Sequence, residues 1–161
     1  MKSGIGVSLL SALVCCSQAA PAALSSALRE HMTLDRFDVV SSVRGLPLGV
    51  REALQTLFGS QEFDIAVDIA DPGARFQGTD AIGNPKLPIR RLIAAECSID
   101  HCLVYYERGG DAHTWHVALF HWTPDATRLD GGGLAPGRLA TIVDARNAIL
   151  SGAIKGSAKF W

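Results

Sequence analysis

The stretch IRRLIAAECSIDHCLVYYERGGDAHTWHVALFHW, residues 89–122, decides the fold of this chain. Three of its segments are rich in β-branched and aromatic residues and predict strands over Ile89–Cys97, Cys102–Glu107 and His113–Trp122. The connections between them are a four-residue tip and a short turn that contains two adjacent glycines. Connections this short favour antiparallel pairing, because parallel strands need a long crossover. The stretch therefore predicts an antiparallel β-meander.

Helical patterns lie on both sides of the meander. Apolar residues recur at helical spacing over Pro47–Phe58, and Gly59 follows as an end signal. The same periodicity predicts a final helix that begins near Leu139 and stops near Gly152. Together these elements predict the α+β class, as a single domain with an antiparallel meander sheet and helices packed on one face.

Two other segments have weaker patterns. Apolar and polar residues alternate over Phe63–Ile69, which predicts a half-buried strand that ends at the turn Asp71-Pro72-Gly73. The segment Thr123–Gly137 contains two prolines and three consecutive glycines, so it is expected to be a loop without regular structure.

The first residues have the order of a secretory signal peptide, predicted over residues 1–19. Lys2 precedes the apolar run Ile5–Cys16, and Ser17-Gln18-Ala19 forms a small-residue cleavage site. A lipoprotein is an alternative because Cys15 and Cys16 end the run, although neither follows the expected small residue. The signal predicts a periplasmic or secreted protein.

The rest of the chain is expected to comprise a flexible N-terminal segment, residues 20–45, and a single α+β domain, residues 46–161. Removal of Lys2 with the signal takes Lys+Arg from 15 to 14 against 16 Asp+Glu, so the formal net charge changes from −1 to −2. A chain this close to neutral lacks the basic surface that nucleic acid binding needs. No later segment is apolar over enough residues to span a bilayer.

Cys97 and Cys102 are the only cysteines that follow the predicted signal peptide. They flank a tight reversal between two strands, where a disulfide can close, and oxidising compartments favour that bond. The ring would hold four candidate partner-binding residues at an exposed tip: Ser98, Ile99, Asp100 and His101. A rigid tip loses little entropy on docking. The chemistry of the loop by itself favours the simpler interpretation, in which the disulfide staples a hairpin and His101 is a solvated turn residue.

These residues resemble those of the Ivy family, the periplasmic inhibitors of vertebrate lysozyme. The resemblance rests on the ring Cys97–Cys102, on the strand before it, and on Leu103–Glu107 and Val117–Phe120 after it. In that family a six-residue ring with a histidine protrudes from a sheet and enters the lysozyme cleft. The resemblance implies a non-catalytic inhibitor of c-type lysozyme, with His101 inserted and Asp100 beside it. The family usually places the histidine fourth in the ring, whereas His101 is fifth.

Two alternatives to an inhibitor stay open. The chain could be a small exported hydrolase with His101 or His116 as general base, which would require a concave pocket with convergent polar groups. It could also be a non-catalytic adaptor of the cell envelope, in which the ring only staples a hairpin. No nucleophile elbow and no phosphate-binding glycine loop occurs in the sequence.

No cofactor and no metal site is predicted. His113, His116 and His121 lie on one predicted strand, where His116 points away from the other two and those two are about 27 Å apart at ~3.4 Å per residue. They cannot form one site by themselves. Trp115, Trp122 and the terminal Phe160-Trp161 leave a homodimer contact open as an alternative.

Overall fold

The computed structural model describes residues 24–59, 68–81 and 84–156. The predicted signal peptide, residues 63–67 of the predicted early strand, and Phe160-Trp161 lie outside the described residues. The elements in chain order are α1 (Ser26–Leu34), β1 (Asp38–Val40), a 3-10 turn (Val43–Gly45), α2 (Leu48–Phe58), β2 (Ile69–Ala70), β3 (Arg90–Cys97), β4 (His101–Arg108), β5 (Thr114–Trp122), β6 (Thr127–Leu134) and α3 (Ile142–Leu150).

The meander predicted from residues 89–122 is confirmed. Strands β3, β4, β5 and β6 lie side by side in chain order and are antiparallel, and β1 extends the sheet beyond β3. The short strand β2 pairs in parallel with the start of β3. The register places Cys97 opposite Cys102 and His101 opposite His121. The two cysteines and the two histidines therefore lie at the same end of the sheet.

The α+β class is confirmed, but helices cover both faces of the sheet, not one. Helix α2 packs on the first face, and helices α1 and α3 pack on the second. The central strand β4 explains this arrangement, because its side chains alternate between the two cores and nearly all are buried. The first core contains Val50, Leu54, Leu92, Val104, Tyr106 and Phe120; the second contains Met32, Leu103, Tyr105, Leu119, Ala145 and Ile149.

The expectation of an irregular loop over Thr123–Gly137 is wrong, because residues 127–134 form strand β6. Its glycines are needed for close packing. A Cβ on Gly133, which has a φ of 150°, would lie 2.2 Å from the carbonyl oxygen of Lys155. A Cβ on Gly131 would lie 3.1 Å from a methyl carbon of Leu24. The glycines that indicated a loop instead let neighbouring chain segments approach this edge strand.

Residues 26–45, expected to belong to a flexible segment, form helix α1, strand β1 and the 3-10 turn. Met32 and Val43 are fully buried in the two cores. Ser25 caps α1, since its hydroxyl accepts a hydrogen bond from the amide of Leu28. The folded domain therefore includes residues before Leu46.

Both predicted helices are present. Helix α2 begins one residue after Pro47 and ends at Gly59, whose φ of 66° is the left-handed conformation that glycine adopts without strain. Helix α3 begins with a capping box between Thr141 and Asp144. Among the described residues, no helix is both long and apolar enough to cross a bilayer.

Candidate functional site

The predicted ring exists: a disulfide joins Cys97 to Cys102. Inside the ring, the amide of Ser98 donates to the carbonyl oxygen of His101 at 2.7 Å, and the amide of His101 donates to the hydroxyl of Ser98 at 3.0 Å. Outside it, the amide of Trp122 donates to the carbonyl oxygen of Asp100 at 2.8 Å. The disulfide and these hydrogen bonds fix the backbone of the ring and attach it to β5.

The four predicted partner-binding residues do not share one exposed tip. Ile99 is 87% exposed, and Ser98 and Asp100 are half-buried. His101 is only 6% exposed, because it is the first residue of β4 and lies beneath helix α1. The ring therefore presents an isoleucine to solvent and keeps its histidine inside.

Asp100 lies between two histidines that come from different parts of the chain. Its Oδ1 is 2.8 Å from His31 Nε2, on helix α1, and 2.9 Å from His101 Nδ1. Burial opposes ionisation of this carboxyl, but the hydrogen bonds and charges of His101 and His31 outweigh burial and lower the pKa of Asp100. The hydroxyl of Ser98 also donates to Oδ1, at 3.3 Å.

The two histidines contact further carboxylates through their other ring nitrogens. His31 Nδ1 lies 2.8 Å from Asp35 Oδ2, one helical turn along α1. His101 Nε2 lies 3.4 Å from Asp130 Oδ2, on strand β6. Asp130 in turn accepts a 2.7 Å hydrogen bond from Arg128. Each imidazole is thus held on both sides by acidic groups.

The contacts of Asp100 lie in the wall of an open cavity of about 460 Å³ between α1, the ring and the ends of β5 and β6. Six of the residues that line it are Leu28, His31, Asp100, His101, His121 and Asp130. The His121 ring lies 5.1 Å from that of His101, centre to centre. The cavity therefore gathers three imidazoles and two carboxylates at the ring end of the sheet.

The sequence identified Asp100 and His101 but missed His31, His121 and Asp130 as their neighbours. His31 lies in a segment expected to be flexible, and Asp130 in one expected to be an irregular loop. His121 was considered only with the other histidines of its own strand, although hairpin pairing across β4 and β5 could have placed it beside His101.

His31, Asp100 and His101 could hold a metal ion. Each offers one ligand atom, and these atoms all lie within 4.8 Å of one another. The sequence predicted no metal site, because His31 was not considered together with Asp100 and His101. The three histidines of one predicted strand do not belong to this cluster.

His116 lies on the opposite face of the sheet from His101. It is buried and stacks on Tyr106, whose side chain belongs to the core beneath α2. Burial and, to a lesser extent, the charges of Arg108 and Arg90 together lower the pKa of His116 to about 4. His116 cannot act together with His101.

The fold and the site define a single α+β domain with a disulfide-closed ring beside a histidine-lined cavity. Comparison of the chain with protein-family models, curated proteins and solved structures finds no match. The resemblance to lysozyme inhibitors therefore stays a prediction from the sequence.

Proposed function

We propose that this chain is an exported, non-catalytic inhibitor of c-type lysozyme that docks through the Cys97–Cys102 ring. One observation carries the proposal: Ile99, the most exposed large apolar side chain among the described residues, lies on a ring that a disulfide holds in place. Burial of an exposed isoleucine in a partner removes apolar surface from water, which favours binding. Because the tip is already rigid, little conformational entropy is lost when it docks. An aliphatic side chain that fills a pocket of the partner can serve as the anchor of an interface.

Ile99 is the residue we expect to enter the partner's cleft. Complete burial of an isoleucine side chain contributes about 1.5–3 kcal/mol, which is enough for one anchor to dominate a small contact. Ser98 and Asp100, on either side of it, are partly accessible and can make polar contacts at the rim. The ring thus has an apolar centre and a polar edge.

His101 has a different role from the one that the resemblance implies. Its ring nitrogens face Asp100 and Asp130, so it cannot reach the carboxylates of a partner without breaking these contacts. We assign it as a positioning residue that orients Asp100. The carboxylate of Asp100 would repel the acidic groups of a lysozyme cleft, and its contacts with His31 and His101 reduce that repulsion.

Export is part of the proposal. Disulfides persist in oxidising compartments such as the periplasm, and the predicted signal peptide would deliver the chain there. A ring that depends on its disulfide would be lost in the reducing cytosol. The proposal therefore places the protein in the periplasm or outside the cell.

A lysis assay with c-type lysozyme and bacterial cell walls tests the proposal. We expect stoichiometric inhibition by the oxidised protein, a loss of about tenfold or more in affinity for Ile99→Ser, and no change for Val143→Ser. Val143 is the matched control, because it is also an exposed apolar side chain but lies on helix α3. The absence of inhibition by the parent protein would reject the inhibitor and favour an adaptor. Equal inhibition by Ile99→Ser would reject docking through the ring and assign inhibition to another surface.

A hydrolase is a second candidate, favoured by one specific observation. The cavity beside the ring is concave and gathers His101, Asp100 and Asp130, as a general base with orienting carboxylates would require. Turnover of ester, peptide or glycoside substrates that disappears in His101→Gln but persists in His116→Gln would support it. Equal loss of turnover in both variants would show that only folding had been affected.

A further inference from the structure

We propose that His31, Asp100 and His101 form a binding site for a Zn²⁺ ion on the wall of the cavity beside the ring. The proposal goes beyond lysozyme inhibition and does not depend on it. The three residues come from helix α1, the ring and the first position of β4, so the site exists only in the folded chain.

The distances suit a zinc ion after a small outward movement. Asp100 Oδ1 lies 2.8 Å from His31 Nε2 and 2.9 Å from His101 Nδ1. Zinc binds imidazole nitrogen and carboxylate oxygen at about 2.0–2.2 Å, so neighbouring ligands in a tetrahedron are about 3.3–3.5 Å apart. Separation of each pair by roughly half an ångström would admit the ion. The side chain of His31 is partly exposed, which allows that movement.

The outer contacts of both histidines match those of zinc ligands in general. A metal-bound histidine almost always donates its other ring N–H to a carboxylate, a backbone carbonyl or water, which fixes the ring and makes it a better ligand. Here Asp35 contacts the outer nitrogen of His31 at 2.8 Å, and Asp130 lies 3.4 Å from the outer nitrogen of His101. Both imidazoles are therefore already oriented with their inner nitrogens toward Asp100.

The donor set selects the kind of cation. Two imidazoles and one carboxylate suit zinc and similar transition metals, whereas calcium and magnesium prefer oxygen ligands alone. Both cysteines of the ring are in the disulfide and cannot bind the ion. A fourth position would face the cavity, where water or a carboxylate from a partner could complete the tetrahedron.

The other end of the sheet provides a matched control. His113 Nε2 lies 2.6 Å from Glu107 Oε2, so this pair also joins a histidine to a carboxylate. The carboxylate of Glu107 is already bonded to Arg91, which is always charged and cannot bind a metal. His113 should therefore contribute nothing to zinc binding.

Calorimetric titration of the oxidised protein with zinc chloride, after treatment with a chelator, tests the site. We expect one Zn²⁺ per chain, binding weakened about 10- to 100-fold or more in His31→Gln, and unchanged binding in His113→Gln. Calcium and magnesium should give no saturable heat. Absence of saturable zinc binding by the parent protein, or equal affinity in the two variants, would overturn the proposal.

Two further measurements separate a metal site from a purely structural network. Asp35→Asn removes only an outer contact, so we expect it to weaken zinc binding about 10-fold while leaving the thermal unfolding midpoint without zinc nearly unchanged. Cobalt in place of zinc should show the intense visible absorption of a tetrahedral ion, and His31→Gln should abolish it. Parent protein that binds cobalt with only the weak absorption of a hydrated octahedral ion would contradict the proposed ligands.

Discussion

The two ends of the β3–β4 hairpin both join a carboxylate to a histidine, but only the ring end leaves that group open to a cavity. At the ring end, Asp100 lies between His31 and His101, and its side chain is 35% exposed. At the other end, Glu107 contacts Arg91 and His113, and its side chain is 8% exposed. Arginine stays protonated and cannot bind a metal ion, whereas a neutral imidazole can exchange its contact with a carboxylate for a metal ion. The same residue types thus build a closed ion pair at one end and an accessible site at the other.

The largest effect is expected when the closed end is broken. Arg91→Met removes the guanidinium that lies 2.6 Å from Glu107 and leaves a nearly buried carboxylate with His113 alone. Loss of one partner from a buried pair destabilises a protein by about 3–5 kcal/mol. Unfolding by urea at neutral pH measures this loss.

Arg36→Met is the control for that experiment. The pair between Arg36 and Asp38 is also short, at 3.1 Å, but both side chains are well exposed. Exposed pairs contribute about 0–1 kcal/mol, so this variant should unfold at nearly the parent urea concentration. If Arg91→Met lowered the free energy of unfolding no more than Arg36→Met does, the pair between Arg91 and Glu107 would be as well solvated as a surface ion pair.

A smaller effect is expected from His116, whose environment contrasts with that of the ring histidine. It is buried against Tyr106 and faces the positive charges of Arg90 and Arg108, so its folded pKa of about 4 is below the unfolded value of 6.5. The unfolded chain therefore binds the proton more readily than the folded chain does. The contribution of neutral His116 to the free energy of unfolding is fully present above pH 6.5 and is lost as the pH falls toward 4. We expect a loss of about 2–3 kcal/mol from this group.

Urea unfolding of the parent protein and of His116→Gln, repeated between neutral and mildly acidic pH, isolates that contribution. Gln retains a polar side chain that can bond to Thr114, which lies 2.9 Å from His116 Nε2, but it does not titrate. The parent should lose stability with falling pH more steeply than the variant. Parallel curves would mean that protonation of His116 does not destabilise the fold.

The meander was predictable because its evidence is local. Strand periodicity, the four-residue tip and the glycine turn all lie within residues 89–122, and neighbouring strands pair with each other. The ring disulfide follows from the same register, which places Cys97 directly opposite Cys102. Local patterns of this kind survive tertiary packing because short connections leave few other pairings.

The site was not predictable because it depends on contacts between distant segments. His31 and Asp100 are 69 residues apart. The apolar periodicity of α1 is as strong as that of α2, but its sequence is more polar on average and gives no sign of what the helix docks against. Burial of His101 follows from that docking, since the His31 ring lies 4.3 Å from the His101 ring. Strand β6, which supplies Asp130, contains three glycines whose role is close packing with other segments. Its composition alone resembles that of a loop.

The smallest effect, and the most direct test of the open end, is expected from Asp100→Asn. The amide keeps the size of the side chain but removes the charge between His31 and His101, so we expect a loss of about 1 kcal/mol at neutral pH. The pKa of Asp100 is lowered in the folded state, so the carboxylate stabilises the fold above its unfolded pKa of 3.8, and this contribution is lost as the pH falls through the folded value. The difference between parent and variant should therefore disappear in acid.

Asp125→Asn is the matched control, because Asp125 is an exposed aspartate in the turn between β5 and β6. Thermal unfolding of the three proteins at neutral and acidic pH should separate Asp100→Asn from the other two only at neutral pH. A deficit of Asp100→Asn that persisted in acid would mean that its carboxylate acts through shape and hydrogen bonds and not through charge. The charge of Asp100 would then not stabilise its contacts with His31 and His101. The carboxylate would in that case offer little electrostatic attraction to a cation that replaced those contacts.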